Sequence, residues 1–271
     1  MSGWRFTLKA APALRVDMRG VTPTALAGLS AAEVERLPVG YGSTRLPLAE
    51  FFQLAPQDED ALDFEGDLSR FDRVGWQLAQ GRIRIDGSVG HHAGGGMRAG
   101  ELLVSGHAGL LAACEMAGGV FTVQGDVDDF AASALPGSMD GMRGGTFVVM
   151  GNAGARFADR MRRGNAIVHG NAGDFLASRL VAGTVALGGH AGAHPGFGMR
   201  RGTVVLAAGP SALEVPATFV PAYAPVDVYW QLLARSLARH GGPFAALAAR
   251  RIERHLGDLA ADGKGEIIMA S

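Results

Sequence analysis

Seven glycines recur at a nearly fixed interval, and that interval limits the fold more than any other feature of the chain. Gly81, Gly100, Gly119, Gly145, Gly164, Gly183 and Gly202 are separated by 19, 19, 26, 19, 19 and 19 residues. The one long interval is a period plus seven residues, which places an insertion within residues 126–144. A looser unit begins near Asp60. A repeat of this length marks an array of supersecondary units, each too small to bury its own apolar side. Stacking the units on one another buries all of those sides together.

The columns of the repeat say what each unit contains. Two and four places after each opening glycine the residues are apolar: Ile83/Ile85, Leu102/Val104, Phe121/Val123, Phe147/Val149, Ala166/Val168, Val185/Leu187 and Val204/Leu206. Leu62/Phe64 fit the looser unit. Alternation with period two is a strand with one buried face. Six places after the opening glycine stands another: Gly87, Gly106, Gly125, Gly151, Gly170 and Gly189, with Gly66 before them. Each is expected to supply a positive φ at a corner. The next residue is Asp67, Ser88, His107, Asp126, Asn152, Asn171 or His190, types that form turns and, for Asn, Asp and His, tolerate left-handed backbone. Leu78, Met97, Met116, Met142, Met161, Leu180 and Met199 make one more apolar column. Stacked methionines at the core period predict packing rather than soft-metal binding. The expected fold is therefore an all-β core: a parallel β-solenoid over residues 60–208, about seven coils high and ~30–35 Å long at the ~4.8 Å strand spacing.

The flanks break the period. Trp4, Phe6 and Leu8 alternate as in a strand, and Ser30-Ala-Ala-Glu33 has the form of a capping box opening a short helix. Residues 1–59 are read as an N-terminal α+β cap. Beyond Gly209-Pro210, residues 227–239 and 243–256 carry apolar residues at helical spacing, split by Gly241-Gly242. Residues 209–271 are thus expected to be a C-terminal helical segment. Solenoids need their open ends covered, and these flanks are the material available.

Composition removes several function classes. The net charge of −1 gives no bulk attraction to nucleic acid or an anionic membrane. A single cysteine, Cys114, allows no internal disulfide and no multi-cysteine metal site. No apolar run reaches the length of a signal peptide or a membrane span, so a soluble cytoplasmic protein is expected. Only Lys9 and Lys264 are lysines among 25 basic residues, a bias that suggests a GC-rich bacterial genome.

Few residues invite catalytic chemistry. His107 and His190 share the corner column but stand four coils apart, ~19 Å by the strand spacing, too far to hold one metal. Gly94-Gly95-Gly96 has no Gly-Lys-Ser/Thr after it and opens no βαβ unit. The middle strand position, expected to face outward, reads Asp63, Arg84, Leu103, Thr122, Val148, Ile167, Ala186, Val205. One carboxylate in that column does not make the acid/base pair of a solenoid glycosidase. What it makes is an outer apolar strip at Leu103, Val148, Ile167 and Val205, to be covered by the C-terminal segment or by a partner. Arg98, Arg143, Arg162-Arg163 and Arg200-Arg201 precede opening glycines and form a candidate basic edge, either solvated or docking an acidic partner or polyanionic tail. The sequence assigns no catalytic residue and no metal ligand.

The repeated GNAG and GHAG corners, the strand Thr-Phe-Val-Val-Met-Gly at 146–151 and the Met-Arg-x-Gly closures resemble the glutamate synthase C-terminal domain family. In length and flanks the chain is similar to the family of formylmethanofuran dehydrogenase C subunits. The resemblance in the repeat covers roughly residues 60–208. It implies a right-handed parallel β-helix acting as a scaffold, with no metal or pterin site of its own. The implied partners are an amidohydrolase-like A subunit, a molybdopterin-enzyme-like B subunit and, in the bacterial formyltransferase/hydrolase version, a formyltransferase D subunit. That complex moves a formyl group from formyl-tetrahydromethanopterin to a methanofuran-type carrier and releases formate. The carriers of the family have glutamyl tails, which gives the arginine edge a candidate ligand, although no family motif assigns those arginines. The lysine-poor composition favours the bacterial version over the C subunit of a molybdenum or tungsten dehydrogenase. Two other readings stand beside it: a self-contained solenoid enzyme acting on a carbohydrate or amide, and a glutamate-synthase-like module working with a glutaminase.

Overall fold

The computed structural model describes residues 3–271 and is mostly β, with one 13-stranded sheet of mixed direction and a second sheet of four strands. The chain enters through β1 (Gly3–Leu8), β2 (Val16–Asp17), helices α1 (Pro23–Leu26) and α2 (Ala31–Glu35), then β3 (Pro38–Tyr41), β4 (Thr44–Pro47) and β5 (Phe52–Gln57). The periodic part supplies β6 (Ala61–Glu65), β7 (Phe71–Asp72), β8 (Arg82–Asp86), β9 (Glu101–Val104), β10 (Val120–Val123), β11 (Thr146–Val149), β12 (Asn165–Val168), β13 (Thr184–Leu187) and β14 (Thr203–Leu206). The chain closes with β15 (Val220–Pro221), α3 (Asp227–Ala238), β16 (Ile252–Gly257) and β17 (Gly265–Ala270).

From β6 to β14 every periodic strand of the large sheet pairs in parallel with the next, in the register the repeat demands. Ile83 lies beside Leu102, Leu102 beside Phe121, Phe121 beside Phe147, then Ala166, Val185 and Val204. All of them are buried, as is the methionine column. A second parallel ladder of single bridges runs Leu68, Val89, Ala108, Val127, Ala153, Ala172, Ala191. Between that ladder and the methionine column the backbone alternates in sign of φ. Arg156, Ala158 and Arg160 all have positive φ, as do Leu111, Ala113 and Glu115. A non-glycine residue in this conformation costs about 1–2 kcal/mol. The N–H groups of these positive-φ residues point in turn up and down the stack, while Asp159 and Met161 between and after them donate locally to Arg156 O and Ala158 O. Arg156 N–H donates forward to Asp174 O (2.7 Å), Ala158 N–H back to Ala131 O (2.8 Å) and Arg160 N–H forward to Ser178 O (2.9 Å). The backbone groups are thereby satisfied between repeats.

The corner glycines work differently from the expectation. Gly106, Gly125, Gly151, Gly170 and Gly189 do not have positive φ; of the expected corner series only Gly66 and Gly87 do. Nor do Asn152, Asn171, His107 or His190 adopt left-handed backbone. The corner glycines are required by close approach: a Cβ on Gly170 would lie 2.5 Å from Asn152 Oδ1 and 2.7 Å from the carbonyl of Gly151, and one on Gly125 2.7 Å from the carbonyl of Gly106. The positive φ belongs instead to the glycines that open the units, Gly81 through Gly202.

The ends are closed by strands. β1 lies between β6, with which it is parallel, and β5, with which it is antiparallel; Phe6 stacks on Phe64 at 4.5 Å. Glu33 accepts from the N–H and hydroxyl of Ser30 at the start of α2. At the far end β17 continues the parallel order beside β14, and β16 then runs antiparallel to β17. The C-terminal segment is therefore not simply helical. Residues 227–238 form α3 as expected, but 243–256 form two short 3₁₀ turns, Gly242–Phe244 and Leu247–Ala249, and then β16. The exposed edge of β17 takes a strand as its partner.

Candidate functional site: an arginine groove on the side of the stack

The arginines of the expected edge lie in the two places between a buried methionine and the next opening glycine, whose φ is positive. Arg143, Arg162 and Arg200 donate their N–H groups to Met116 O (2.6 Å), Met142 O (2.7 Å) and Leu180 O (2.8 Å) of the preceding repeat. Five of the six edge arginines, Arg143, Arg162, Arg163, Arg200 and Arg201, line one groove of about 560 Å³ with Val181 and Ala182. Val181 and Ala182 hold in the intervening repeat the places that arginines hold on either side. The two arginine pairs are therefore two repeats apart, ~10 Å at the strand spacing. Arg98 is not part of the groove lining. No carboxylate lines the groove. Arg162 pairs with Asp140 from the insertion, and Arg143 lies 3.9 Å from Glu115. Arg163, Arg200 and Arg201 have no ion-pair partner among the described residues. Guanidinium groups held charged in a groove recognise carboxylates or phosphates by forked hydrogen bonds. Cationic pairs at a fixed interval suit a ligand with several negative charges, and the attraction weakens with salt.

The corner residues have a structural task that their types allow but composition did not reveal. From Ser88 to Asn171 each side chain accepts the backbone N–H of its counterpart one repeat on: Ser88 Oγ from His107 (3.1 Å), His107 Nδ1 from Asp126 (2.9 Å), Asp126 Oδ1 from Asn152 (2.7 Å), Asn152 Oδ1 from Asn171 (2.9 Å) and Asn171 Oδ1 from His190 (2.8 Å). A second ladder of the same kind was missed in the sequence. Asp72, His91, Asp129 and Asp174 accept from His91 (2.8 Å), Leu110 (3.1 Å), Ala155 (2.7 Å) and Ala193 (2.8 Å). Its signal was present, because those acceptors fall on one column of the repeat. Together the ladders explain GNAG: the first glycine leaves room for one acceptor, the last for the other at Gly154 and for the backbone of Ala155 at Gly173, and the alanine between them forms the bridge.

The outer apolar strip is covered by the chain itself. Val148, Ile167, Ala186 and Val205 pack with Trp230, Ala234, Leu237, Phe244 and Leu247 in a second core beneath α3. The alternative in which a partner covers these positions is corrected accordingly. Leu103, the remaining strip residue, lies outside this cluster and is half-buried. Cys114 is buried, and burial pushes its thiol up to about 12. Among the described residues no three His, Cys, Asp or Glu side chains come together to hold a metal ion.

No protein-family model matches the chain. Its fold matches a chain in the crystal structure of the formyltransferase/hydrolase complex (FhcABCD) from Methylorubrum extorquens in complex with methylofuran, with 40% identity, a TM-score of 0.91, and coverage of 98% of this chain and 99% of that one. Within it, 76 residues are 45% identical to the C subunit of the formyltransferase/hydrolase complex Fhc of Methylorubrum extorquens. A further 89-residue match, 34% identical, is to the C subunit of the molybdenum-containing formylmethanofuran dehydrogenase 1 of Methanosarcina barkeri. The chain belongs to the family of formylmethanofuran dehydrogenase C subunits. Another member of that family, the C subunit of the tungsten-containing formylmethanofuran dehydrogenase 2 of Methanothermobacter marburgensis, is 29% identical over 101 residues. These three matches cover 28%, 31% and 35% of the chain, and only 29%, 30% and 37% of the length of the curated relatives. Among the described residues no helix is long and apolar enough to cross a membrane.

Proposed function

We propose that this chain is a non-catalytic scaffold subunit of a cytoplasmic formyltransferase/hydrolase complex. The complex transfers formyl from formyl-tetrahydromethanopterin to a methanofuran-type carrier and releases formate. The observation that carries the reading is the match over nearly the full length to a chain of FhcABCD. On this reading the stack is a right-handed parallel β-helix over residues 60–208, in keeping with the right-handed preference of parallel crossovers. Residues 1–59 and 209–271 cap its ends. The partners are an amidohydrolase-like A subunit, a molybdopterin-enzyme-like B subunit and a formyltransferase D subunit. Support for a life in an assembly comes from the outward side of the C-terminal segment, where Tyr223, Val228 and Leu232 are 91%, 76% and 66% exposed.

Within the assembly the arginine groove would hold the carboxylate-bearing tail of the carrier, while the chemistry proceeds on other subunits. Five guanidinium groups and no carboxylate in the lining support this role. The test is to tag the chain in its native host, purify it in mild salt and identify the subunits that come with it. Amidohydrolase-like and formyltransferase subunits are expected; a chain that comes alone overturns the reading. For the groove, a glutamate oligomer should bind the complex, and the Arg163→Glu, Arg201→Glu double variant should weaken it by on the order of tenfold. Unchanged binding would remove the groove from the proposal. The second reading, the C subunit of a molybdenum or tungsten dehydrogenase, is favoured by the 34% identity to the Methanosarcina protein. Co-purifying redox subunits with iron–sulfur clusters would select it.

A further inference from the structure

The insertion leaves the register of the stack unchanged. β10 and β11 keep the register of every other pair, and Met142 returns to the methionine column by donating its N–H to Ala132 O at 3.0 Å. Residues 134–140, the added stretch, build something else: a cleft of about 470 Å³ lined by Leu135 and Pro136 of the insertion, by Leu110, Leu111 and Phe130 of the stack, and by Asp159, Arg160 and Arg179. Its apolar parts are open to solvent, with Leu110 39%, Phe130 38% and the neighbouring Met139 68% exposed.

The charged part of the cleft is organised. Asp159 is buried, and its carboxylate is fully engaged: Oδ1 accepts from Ser178 Oγ (2.6 Å) and Arg179 Nε (2.9 Å), Oδ2 from Arg179 Nη2 (2.6 Å). Arg160 Nε stands 3.9 Å from the same carboxylate. Two guanidinium groups therefore face one carboxylate. Arg156 is not part of the lining but stands beside it, its guanidinium 5.9 Å from the ring centre of Phe130 in the cleft wall and 4.5 Å from that of Phe175, and it has no ion-pair partner among the described residues. Glu115, which accepts from Leu135 N–H at 3.4 Å, is 3.9 Å from Arg143. The result is an apolar slot with a positive base and a cationic aromatic rim. Aromatic and arginine side chains around an apolar centre are the usual make-up of an interface hot spot.

We propose that this cleft docks a segment of another subunit that carries a large apolar side chain and, within about one turn, an acidic one. The apolar side chain enters between the insertion and Phe130. The carboxylate meets Arg156, whose guanidinium is held over the phenylalanine rings and still needs a counter-charge. The choice of occupant follows from charge complementarity and rests on the reading that the chain works in an assembly.

The test places a photoreactive benzoylphenylalanine at Leu135 in the chain as produced in its native host. The intact complex is purified and irradiated, and the cross-linked peptide is sequenced. A peptide of a different subunit, with a Leu, Ile, Met, Phe or Trp within four residues of an Asp or Glu, supports the proposal. Cross-links confined to this chain, to a second copy of it, or to a segment without an acid overturn it. In parallel, Leu135→Asp and Arg156→Glu should each lower the retained partner by on the order of tenfold, with the melting temperature of the chain within a few degrees of wild type. If the wild-type chain retains its subunits and both variants retain them equally, the cleft is not the docking site although the assembly reading survives. If the wild-type chain retains none, the assembly reading falls and the occupant falls with it.

Discussion

Replacing Gly170 by alanine separates two explanations of the corner. Were the glycine present for a left-handed backbone, the penalty would be one of dihedral angle. Its φ is not positive, however, and in ordinary backbone a glycine-to-alanine change stabilises by about 0.4–1 kcal/mol through the unfolded chain. The structure predicts the opposite sign. The new Cβ would lie 2.5 Å from Asn152 Oδ1, 2.7 Å from Gly151 O and 2.9 Å from Gly151 C. The side-chain contact can relax by turning Asn152 away, at the loss of its bond to Asn171 N–H, about 1 kcal/mol. The backbone contacts cannot relax so cheaply, because Gly170 N–H donates to that same Gly151 carbonyl at 2.9 Å. Opening the contact stretches the rung, a further ~1 kcal/mol, and the residual strain is of the order seen for overpacked sites, about 1–3 kcal/mol. After the unfolded-state gain, a net loss of roughly 2–5 kcal/mol is expected. For a chain of this size that lowers the melting temperature by about 4 °C at the least and on the order of 15 °C at the most. Differential scanning calorimetry on Gly170→Ala, Asn152→Ala and the double variant gives the answer, because the shared loss of the Asn152 bond makes the two changes less than additive. Gly137→Ala in the insertion, where nothing lies within 4 Å of the added methyl but φ is +84°, is the dihedral control. A Gly170→Ala protein as stable as wild type, or more so, would refute the close-approach explanation.

Trp230→Ala should destabilise by about 3–5 kcal/mol and raise binding of an apolar fluorescent dye, because it uncovers Val148, Ile167 and Val205; an unchanged melting temperature would mean that α3 is not what seals the strip. Burial lowers the pKa of His92, His169 and His240 below the ordinary 6.5, and His240 adds to the effect on His169. These histidines take up protons less readily when folded than when unfolded. Their contribution is complete above 6.5 and is lost as pH falls through the folded values. The melting temperature should therefore drop between pH 7.5 and 5.5, and His169→Gln should flatten that slope; a flat wild-type profile would count against the burial. Cys114, with its thiol near 12, should resist a thiol reagent in the native protein and react only on unfolding, as timed labelling would show.

The strands and their register were legible because period two and the 19-residue interval act on the same residues: Leu102, Phe121 and Phe147 can share one buried face in only one alignment. The arginine groove was legible for the same reason, since Arg143, Arg162 and Arg200 hold one column. Periodicity reports which residues are equivalent and stays silent on why a type is needed. Gly170 therefore suggested a dihedral where the cause is a neighbouring carbonyl, and Asp129 and Asp174 went unnoticed as acceptors. Outside the repeat the signal was ambiguous. Phe244, Leu247, Ile252 and Leu256 fit a helical spacing, yet Phe244 and Leu247 meet the strip from short turns and Ile252 to Gly257 pair with β17. The unpaired edge of β17 decided that, and nothing local to residues 243–256 encodes it. The strip was legible as one that needs a cover, but the choice between the C-terminal segment and a partner stayed open because the residues that seal it lie 25 residues or more further along the chain.

The stack is bounded at both ends by a reversal of strand direction, β5 against β1 and β16 against β17. A second copy offered to either end meets an antiparallel edge and finds no continuation of the 19-residue register. The parallel order thus ends inside the chain on both sides, and the span of the stack follows from the number of repeats in the gene. Gaining or losing one repeat would change that span in a single step of ~4.8 Å while leaving both end structures intact. Such a chain can set the distance between the things attached to it, and inheritance can adjust that distance only in discrete increments.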